Sequence, residues 1–267
     1  LDLSDAQKRI TDKTKAIMPV HYTGKVDDLD AIYKFANKFN LRIIEDAAHA
    51  FGATYKERRI GSSGDVACFS FDGIKNITSG EGGSIVTDNE DVLRKVRDAR
   101  LLGVEKDTDK RYLGKRSWLF DVNDQGWRYH MSNIMAAIGI EQLKRFSILS
   151  GKRKTMAKLY HNELHDLPNI KLLDINFDEV VPHIYVVRIP ATPNRKLLQE
   201  KLLELRIQKG IHYQPNHVLS IYREQTALPL PITDSIFPEL LSLPLHPNLK
   251  TGDVLLVCRV LREQLNE

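Results

Sequence analysis

The sequence has little of what marks secreted, membrane or nucleic-acid-binding proteins. Its only cysteines, Cys68 and Cys258, lie in apolar runs, which argues against a disulfide scaffold and favours buried thiols in a reducing, cytoplasmic compartment. The amphipathic stretch 3–17 is too charged for a signal peptide or a membrane span. The net charge is only +4, and the basic run Lys152–Lys154 fits a solvated helix face better than a nucleic-acid patch. We therefore expect neither a membrane nor a nucleic acid as partner.

Metal-ligand spacing is scarce as well, although the chain has nine histidines. Only His161 and His165 form a helical pair with an acid, Glu163, between them, and that trio lies in a polar run. We predict no metal site. The composition that remains, 42% hydrophobic and 28% charged residues, is ordinary for a globular protein.

Hydrophobic patterning divides the 267 residues into two predicted domains. Residues 1–165 alternate strands with helices and end in a long helix, and residues 166–267 form a smaller α/β domain. In the long helix, Ile134, Ile138, Leu143 and Phe146 are spaced for one apolar face. The predicted strands are 15–20, 41–45, 65–71, 83–87 and 183–189, and the predicted helices are 26–39, 89–102, 131–165, 196–209 and 252–265.

Lys75 is the most informative residue. It lies between an apolar run, Val66–Phe71, and a glycine-rich turn, 79–83, which leads into a second predicted strand. Desolvation lowers the pKa of an amine, and a neutral amine can form a Schiff base. The alternative for a single lysine is a stem packed on apolar surface with its head in water.

A second group of polar residues stands at the end of the predicted strand 41–45. Asp46 directly follows that strand, and His49 comes three residues later. Ligands of open α/β sheets bind at the carboxyl ends of strands, although Asp46 alone fits a helix N-cap equally well. A strand-end aspartate, a histidine, a serine and a lysine together form the set expected around pyridoxal 5′-phosphate. The lysine bonds to that cofactor and the carboxylate keeps the pyridine nitrogen protonated, while hydroxyl and backbone donors hold the phosphate.

Two segments carry a resemblance to a known family: E-D-A-A-H-A-F-G-A at 45–53, and I-G-S-S-G-D-V-A-C-F-S-F-D-G-I-K-N-I-T-S-G-E-G-G-S-I-V-T-D-N at 60–89. They resemble the DegT/DnrJ/EryC1/StrS sugar-nucleotide aminotransferases. Within that family they are most similar to enzymes that aminate UDP-4-keto sugars, of the 4-amino-4-deoxyarabinose aminotransferase type. The further matching segments are 18–24, 126–133, 136–143, 210–215 and 243–247.

The resemblance implies the α/β architecture of pyridoxal-phosphate-dependent fold type I, the aspartate aminotransferase-like fold. This fold has a large domain with a mixed sheet and a smaller C-terminal α/β domain. The resemblance also implies a cytoplasmic homodimer with shared active sites. Family members begin with a further N-terminal segment, which we expect this chain to lack.

The resemblance also assigns cofactor residues. Lys75 would be the Schiff-base lysine and the proton shuttle, and Asp46 would pair with the pyridine nitrogen. His49 would lie near the ring hydroxyl, and Ser70 would hold the phosphate. Arg128 stands where the family has an asparagine that reaches the phosphate across the dimer interface, and a guanidinium can bind phosphate with two hydrogen bonds.

Substrate contacts are expected from the other matching segments. The polar, aromatic and basic stretch 111–118 is typical of a substrate-facing loop. The candidate substrate residues are His21, Tyr22, His212, Tyr213 and His217.

The implied function is pyridoxal-phosphate-dependent transamination of a nucleotide-linked ketosugar in amino-sugar biosynthesis, with glutamate as the amino donor. Two alternatives stay open. One is a truncated, catalytically inactive protein that binds a sugar nucleotide or serves as a scaffold. The other is a sugar 3-dehydratase of the same family, but those enzymes replace the lysine with histidine, and here Lys75 is present.

Overall fold

The computed structural model describes residues 1–62, 64–105, 113–115, 120–190, 193–223 and 229–265. The chain forms two compact units, residues 1–146 and 147–267, and the division falls inside a long helix. The predicted substrate-facing loop 111–118 lies outside the described residues, except for 113–115.

A four-stranded mixed sheet organises the first unit, in the order β1-β2-β5-β6. The β1–β2 and β2–β5 pairs are parallel, and the β5–β6 pair is antiparallel. β3 and β4 form a separate antiparallel hairpin. The strands are β1 (Ala16–Ile17), β2 (Arg42–Asp46), β3 (Thr54–Tyr55), β4 (Arg58–Arg59), β5 (Val66–Ser70) and β6 (Gly83–Val86).

Three helices of the first unit begin beside a side chain that caps them, namely Asp2, Asp28 and Asn89. Asp28 caps α2 by accepting from the amide of Ala31 at 3.0 Å, which satisfies a donor that the helix leaves unpaired. One face of α2 packs Ile32 and Ala36 against Ile43 of β2, so the helix covers one side of the sheet. The helices are α1 (Leu3–Lys8), α2 (Leu29–Lys38), α3 (Glu90–Ala99) and α4 (Asn133–Leu164), with a short 3-10 turn at Tyr22–Gly24.

The predicted apolar face of the long helix α4 is largely uncovered. Ile134 and Leu143 are 74% and 56% exposed, and Ile138 is also exposed. Phe146 alone of that face packs edge-on against an aromatic ring, Phe51, with ring centroids 5.1 Å apart. The 3.6-residue spacing predicted the helix correctly, but among the described residues of this unit little covers the face.

The second unit has a three-stranded antiparallel sheet, β7-β8-β9, covered by helices. One contiguous apolar core joins β8 and β9 to three helices, including the end of α4, and Val187, Leu198, Leu241 and Leu261 are fully buried in it. The elements are β7 (Lys171–Leu172), β8 (Tyr185–Arg188), β9 (Leu240–Leu243), α5 (Pro193–Glu204), α6 (Ser220–Arg223), α7 (Pro231–Ile236) and α8 (Thr251–Leu265), with 3-10 turns at Asn216–Val218 and Phe237–Glu239. The two units together confirm the predicted mixed α/β architecture.

Arg153 corrects the prediction that residues 152–154 form a solvated helix face. Its side chain is only 5% exposed, and Nη1 donates to the carbonyl oxygens of His183 at 2.9 Å and Leu245 at 3.0 Å. Burial lowers the pKa of Arg153 to about 10. The prediction is wrong for Arg153 because two loop carbonyls accept its hydrogen bonds inside the unit, which no local pattern reveals.

Candidate active site

The carboxyl ends of β2 and β5 bring two predicted site residues to one face of the sheet. Asp46 lies opposite Cys68 in the parallel register, and Ser70, two residues further along β5, shares the face of Cys68 because side chains alternate along a strand. Burial raises the pKa of the Cys68 thiol, and the nearby negative charge of Asp46 raises it further. The carboxylate of Asp46 and the hydroxyl of Ser70 therefore occupy the sheet edge where α/β proteins bind ligands.

Asp46 does not cap a helix. Its Oδ1 accepts from the amide of Ala48 at 3.1 Å, but the described residues 47–53 form turns and contain no helix. The backbone of Asp46 is fixed by two further bonds, since its N–H donates to Pro19 and its carbonyl accepts from His21. The N-cap alternative for Asp46 therefore has no helix on which to act.

Lys75 lies in a loop that closes on itself between β5 and β6. Phe71 donates its N–H to Gly82 at 2.8 Å and accepts from Ser79 at 2.9 Å, while Lys75 donates its N–H to Asp72 at 3.0 Å. The lysine is half-buried. Among the described residues no side chain binds its ammonium group, so the amine is available for chemistry.

Two consecutive glycines let the Lys75 loop return to the sheet. Gly82 has φ +136°, and a Cβ there would lie 2.6 Å from Cε of Met131. A Cβ on Gly83 would lie 2.6 Å from the carbonyl oxygen of Phe69. The positive φ of Gly82 and the approach of Gly83 to a backbone oxygen explain why the sequence places Gly-Gly at the end of the loop.

Asn76 connects the Lys75 loop to the segment that follows Asp46. It is only 4% exposed, and its Nδ2 donates to the carbonyl of His49 at 3.3 Å. His49 is also buried, and its ring lies beside that of Tyr22, with centroids 6.4 Å apart. Asn76 was not among the predicted site residues, although its position directly after Lys75 was a visible signal.

The chain matches a known protein family along nearly its whole length. The model of the DegT/DnrJ/EryC1/StrS aminotransferase family matches residues 1–262. The chain belongs to the DegT/DnrJ/EryC1/StrS aminotransferase family. It is 35% identical to the "Uncharacterized protein MJ1066" of Methanocaldococcus jannaschii, over all of this chain and 71% of that protein.

Solved structures of similar proteins agree with that membership. PseC of Helicobacter pylori, an aminotransferase involved in the biosynthesis of pseudoaminic acid, has a TM-score of 0.89 and 27% identity over all of this chain and 71% of its own. The putative sugar aminotransferase Spr1654 of Streptococcus pneumoniae, in its PMP-form, has a TM-score of 0.88 and 28% identity over all of this chain and 73% of its own. The chain is thus a sugar aminotransferase of fold type I that depends on pyridoxal phosphate.

The residues of the aminotransferase fit that cofactor. Its aldehyde requires a primary amine, its pyridine nitrogen a carboxylate and its phosphate hydroxyl or amide donors. Lys75, Asp46 and Ser70 carry groups of these three kinds, at the carboxyl edge of β2 and β5 and in the loop that follows β5.

His21 is enclosed in the first unit of the aminotransferase. The ring is 1% exposed, and Nε2 lies 2.8 Å from Oε2 of Glu45. The other oxygen of Glu45 accepts from the hydroxyl of Tyr33 at 2.9 Å. Burial and the adjacent charge of Glu45 raise the pKa of Tyr33 to about 12. The structure therefore does not support the prediction that His21 contacts substrate, because the ring is bound inside the protein.

Arg128 is exposed and lies on a short antiparallel bridge opposite Leu101. The rings of Trp127 and Tyr129 stack with centroids 6.0 Å apart. Within the part of the chain that the structure describes, no side chain binds the Arg128 guanidinium, and no contact joins it to Ser70.

The remaining substrate candidates belong to the second unit. His212 Nδ1 lies 2.7 Å from the hydroxyl of Ser242, and His217 Nε2 lies 2.7 Å from Oδ1 of Asp234. Tyr213 is exposed. Hydrogen bonds therefore orient both histidine rings, and Tyr213 presents its ring to the surface.

None of the described helices combines the length and the apolar character needed to cross a membrane. No group of three or more histidine, cysteine, aspartate or glutamate residues in the described ranges could hold a metal ion.

Proposed function

We propose that this aminotransferase moves an amino group from glutamate to the ketone of a nucleotide-linked sugar. The observation that carries the proposal is the convergence of Asp46 and Ser70 on one face of the sheet, with Lys75 in the loop that begins just after Ser70. The resemblance of 45–53 and 60–89 to enzymes acting on sugar nucleotides supports the nucleotide-linked substrate.

Lys75 and Asp46 carry the proposed chemistry. When bound, pyridoxal phosphate supplies an aldehyde and an electron-withdrawing ring. Nζ of Lys75 would hold the cofactor at that aldehyde, and the same amine would carry a proton from the amino donor to the carbon that is aminated. The carboxylate of Asp46 holds a proton on the pyridine nitrogen. The lack of an ion pair at Lys75 among the described residues supports this assignment, because a carboxylate would favour the charged ammonium, and only the neutral amine can act as nucleophile or accept a proton.

Ser70, His49 and Arg128 hold the cofactor in this proposal. The hydroxyl of Ser70 donates to the phosphate, and His49 lies near the ring hydroxyl. Arg128 of one copy binds the cofactor phosphate in the site of a second copy. The proposed enzyme is therefore a homodimer with shared sites. The exposed guanidinium and the uncovered apolar face of α4, with Ile134 and Leu143, support a contact with another copy.

Tyr22, His212, Tyr213 and His217 are the proposed substrate contacts. Tyr22 is supported by its half-buried position beside His49. The histidines of the second unit are supported by the hydrogen bonds that orient their rings. Oriented imidazoles and aromatic rings suit a substrate that offers hydroxyl groups and a flat base.

Reductive labelling tests the proposal directly. The complete gene product, mixed with pyridoxal phosphate, is expected to develop a visible absorption band that borohydride bleaches, leaving a stable label on Lys75 found by peptide mass analysis. Lys75→Ala should lose the label and all turnover while remaining folded. Lys144→Ala is the matched control, because Lys144 is exposed and pairs only with Glu141.

The substrate is tested separately by incubating the enzyme with glutamate and either nucleotide-linked or free ketosugars. Amine formation only from the nucleotide-linked compounds is the expected result. A label on another lysine would contradict the assigned chemistry, and equal amination of free sugars would contradict the assigned substrate. A protein that forms no visible band would instead be the inactive sugar-nucleotide-binding or scaffold alternative.

A further inference from the structure

A buried hydrogen bond lies directly behind the proposed cofactor site. Glu45 and Asp46 are adjacent in β2, so their side chains point to opposite faces of the sheet. Asp46 faces the site, and Glu45 faces the side covered by α2, where it meets the ring of His21 at 2.8 Å. A carboxylate can only accept hydrogen bonds, so Nε2 of His21 carries the proton.

This contact fixes the segment that borders Asp46. The N–H of His21 donates to the carbonyl of Asp46 at 3.0 Å, and the N–H of Asp46 donates to the carbonyl of Pro19 at 2.9 Å. The side chain of His21 is thus held by Glu45, while its backbone holds Asp46. One residue makes both contacts, so the Glu45 carboxylate and the Asp46 backbone are joined through His21.

The backbone is strained at Thr23, two residues after His21. Thr23 is fully buried and has φ +64°, a left-handed conformation that a β-branched residue adopts only at a cost of about 1–3 kcal/mol. Gly24 continues the turn with φ +97°. Between the anchored His21 and this turn lies Tyr22, whose ring faces His49. Such strain persists only where surrounding contacts over-determine the backbone.

We propose that His21 and Glu45 form a positioning pair that sets Asp46 and Tyr22 around the cofactor. The pair touches neither cofactor nor substrate, and it rests on the proposed function because Asp46 is its target. The donor that matters is Nε2 of His21. Tyr33 holds the second oxygen of Glu45 and so keeps the carboxylate turned toward the ring.

Two amide substitutions separate this role from simple packing. In His21→Gln the amide nitrogen is three bonds from Cβ, as Nε2 is, so it can still donate to Glu45. In His21→Asn the nitrogen is only two bonds from Cβ, as Nδ1 is, and cannot reach. Ile32→Val is the stability control, because Ile32 is a buried α2 residue of the same unit and the change costs about 0.5–1.5 kcal/mol.

The measurement is the dissociation constant of pyridoxal phosphate, titrated into each cofactor-free protein well below its melting temperature, together with kcat and KM. We expect His21→Asn to weaken cofactor binding and lower kcat by roughly tenfold each, the scale seen when a residue that orients a ligand group is lost. KM should change little. His21→Gln should stay within about threefold of the natural protein, and Ile32→Val should match it.

Three results would overturn the positioning role. These are normal binding by His21→Asn, an equal loss in His21→Gln and His21→Asn, or an equal loss in Ile32→Val. The proposed function fails on a different result, namely absence of the borohydride-sensitive band or of the Lys75 label in the unsubstituted protein. A labelled unsubstituted enzyme with indistinguishable His21 variants therefore rejects only the positioning pair.

Discussion

The two units bury polar groups in opposite ways. In the first unit the buried polar side chains His21, Glu45, His49 and Asn76 cluster around the carboxyl ends of β2 and β5, and the apolar clusters are small. In the second unit one large apolar core joins sheet and helices, and Arg153 is held by backbone carbonyls. The interior of the first unit thus holds polar side chains beside the proposed site, and the interior of the second is mainly an apolar core.

This contrast separates two kinds of substitution. Hydrogen bonds contribute about 0.5–1.5 kcal/mol each to stability, but a misplaced catalytic group costs far more in rate. Burial of apolar surface contributes about 25 cal/mol per Å² to stability. This contribution does not require the exact placement that a reacting group needs. We therefore expect changes at the strand ends of the first unit to affect turnover, and changes in the second core to affect unfolding.

Asp46→Asn should give the largest effect on turnover. If it lowered stability instead, the contrast between the two units would not hold. Asparagine is nearly the same size and can still accept from Ala48, but it removes the charge that holds the pyridine proton. We expect kcat to fall roughly 1000-fold, about 4 kcal/mol in the barrier, with little change in melting temperature. Steady-state kinetics and thermal unfolding on the same preparations measure both.

The control for Asp46→Asn is Asp46→Glu, which keeps the charge and displaces it by about one methylene. It should retain clearly more activity than Asp46→Asn. Full activity in Asp46→Asn would mean that the carboxylate only closes the turn at Ala48.

Leu241→Ala should show the reverse pattern in the second unit. Leu241 is fully buried in β9, and the cavity left by truncation should lower the free energy of unfolding by about 3 kcal/mol. Turnover per folded molecule should be unchanged at low temperature. Denaturant titration gives the free energy, and Leu203→Ala is the matched control, because Leu203 is 72% exposed and should change stability by less than about 0.5 kcal/mol. A large loss of turnover in folded Leu241→Ala would contradict the division between the units.

The sequence predicted the parts of the fold that local patterns encode. Apolar runs ended by turn residues located β2, β5 and β6, and the spacing of apolar residues located α2 and α4, because these signals arise within a few neighbouring residues. It also predicted polar residues at the strand ends, and Asp46 and Ser70 do lie at the carboxyl ends of β2 and β5. Their roles, and that of Lys75, stay predictions.

Contacts between distant residues could not be predicted. His21 and Glu45 are 24 positions apart, and no periodicity links them, so His21 was read as a substrate contact. The bonds from Arg153 to His183 and Leu245 span 30 and 92 positions, and its charged neighbours suggested an exposed face. One clue was present. Glu45 is two residues after the buried Ile43, so both side chains point to the same, inner face of β2.

Asp65→Asn should give the smallest effect and sharpens the comparison within the first unit. Asp65 directly precedes β5 and so lies at the amino end of that strand, whereas Ser70 lies at its carboxyl end. Arg42 binds both carboxylate oxygens of Asp65. The Arg42 hydrogen bond holds the pKa of Asp65 below its ordinary value of 3.8, with a smaller contribution from the amide of Ile43. We expect the substitution to cost about 1 kcal/mol of unfolding free energy at neutral pH and to leave turnover unchanged.

The pH dependence of unfolding shows whether the charge of Asp65 causes the stability lost in Asp65→Asn. Because folding lowers the pKa of Asp65, its contribution is fully present above the unfolded value of 3.8 and is lost as pH falls through the lower folded pKa. Urea unfolding of the natural protein and Asp65→Asn at neutral pH and at successive values below 3.8 should therefore show their difference shrinking toward zero. A difference that persists in acid would assign the stability to the shape of the hydrogen bonds rather than to charge. A loss of turnover would show that polar groups far from the carboxyl edge also position the site, and the first unit would then act as one polar network rather than as a site at one edge of its sheet.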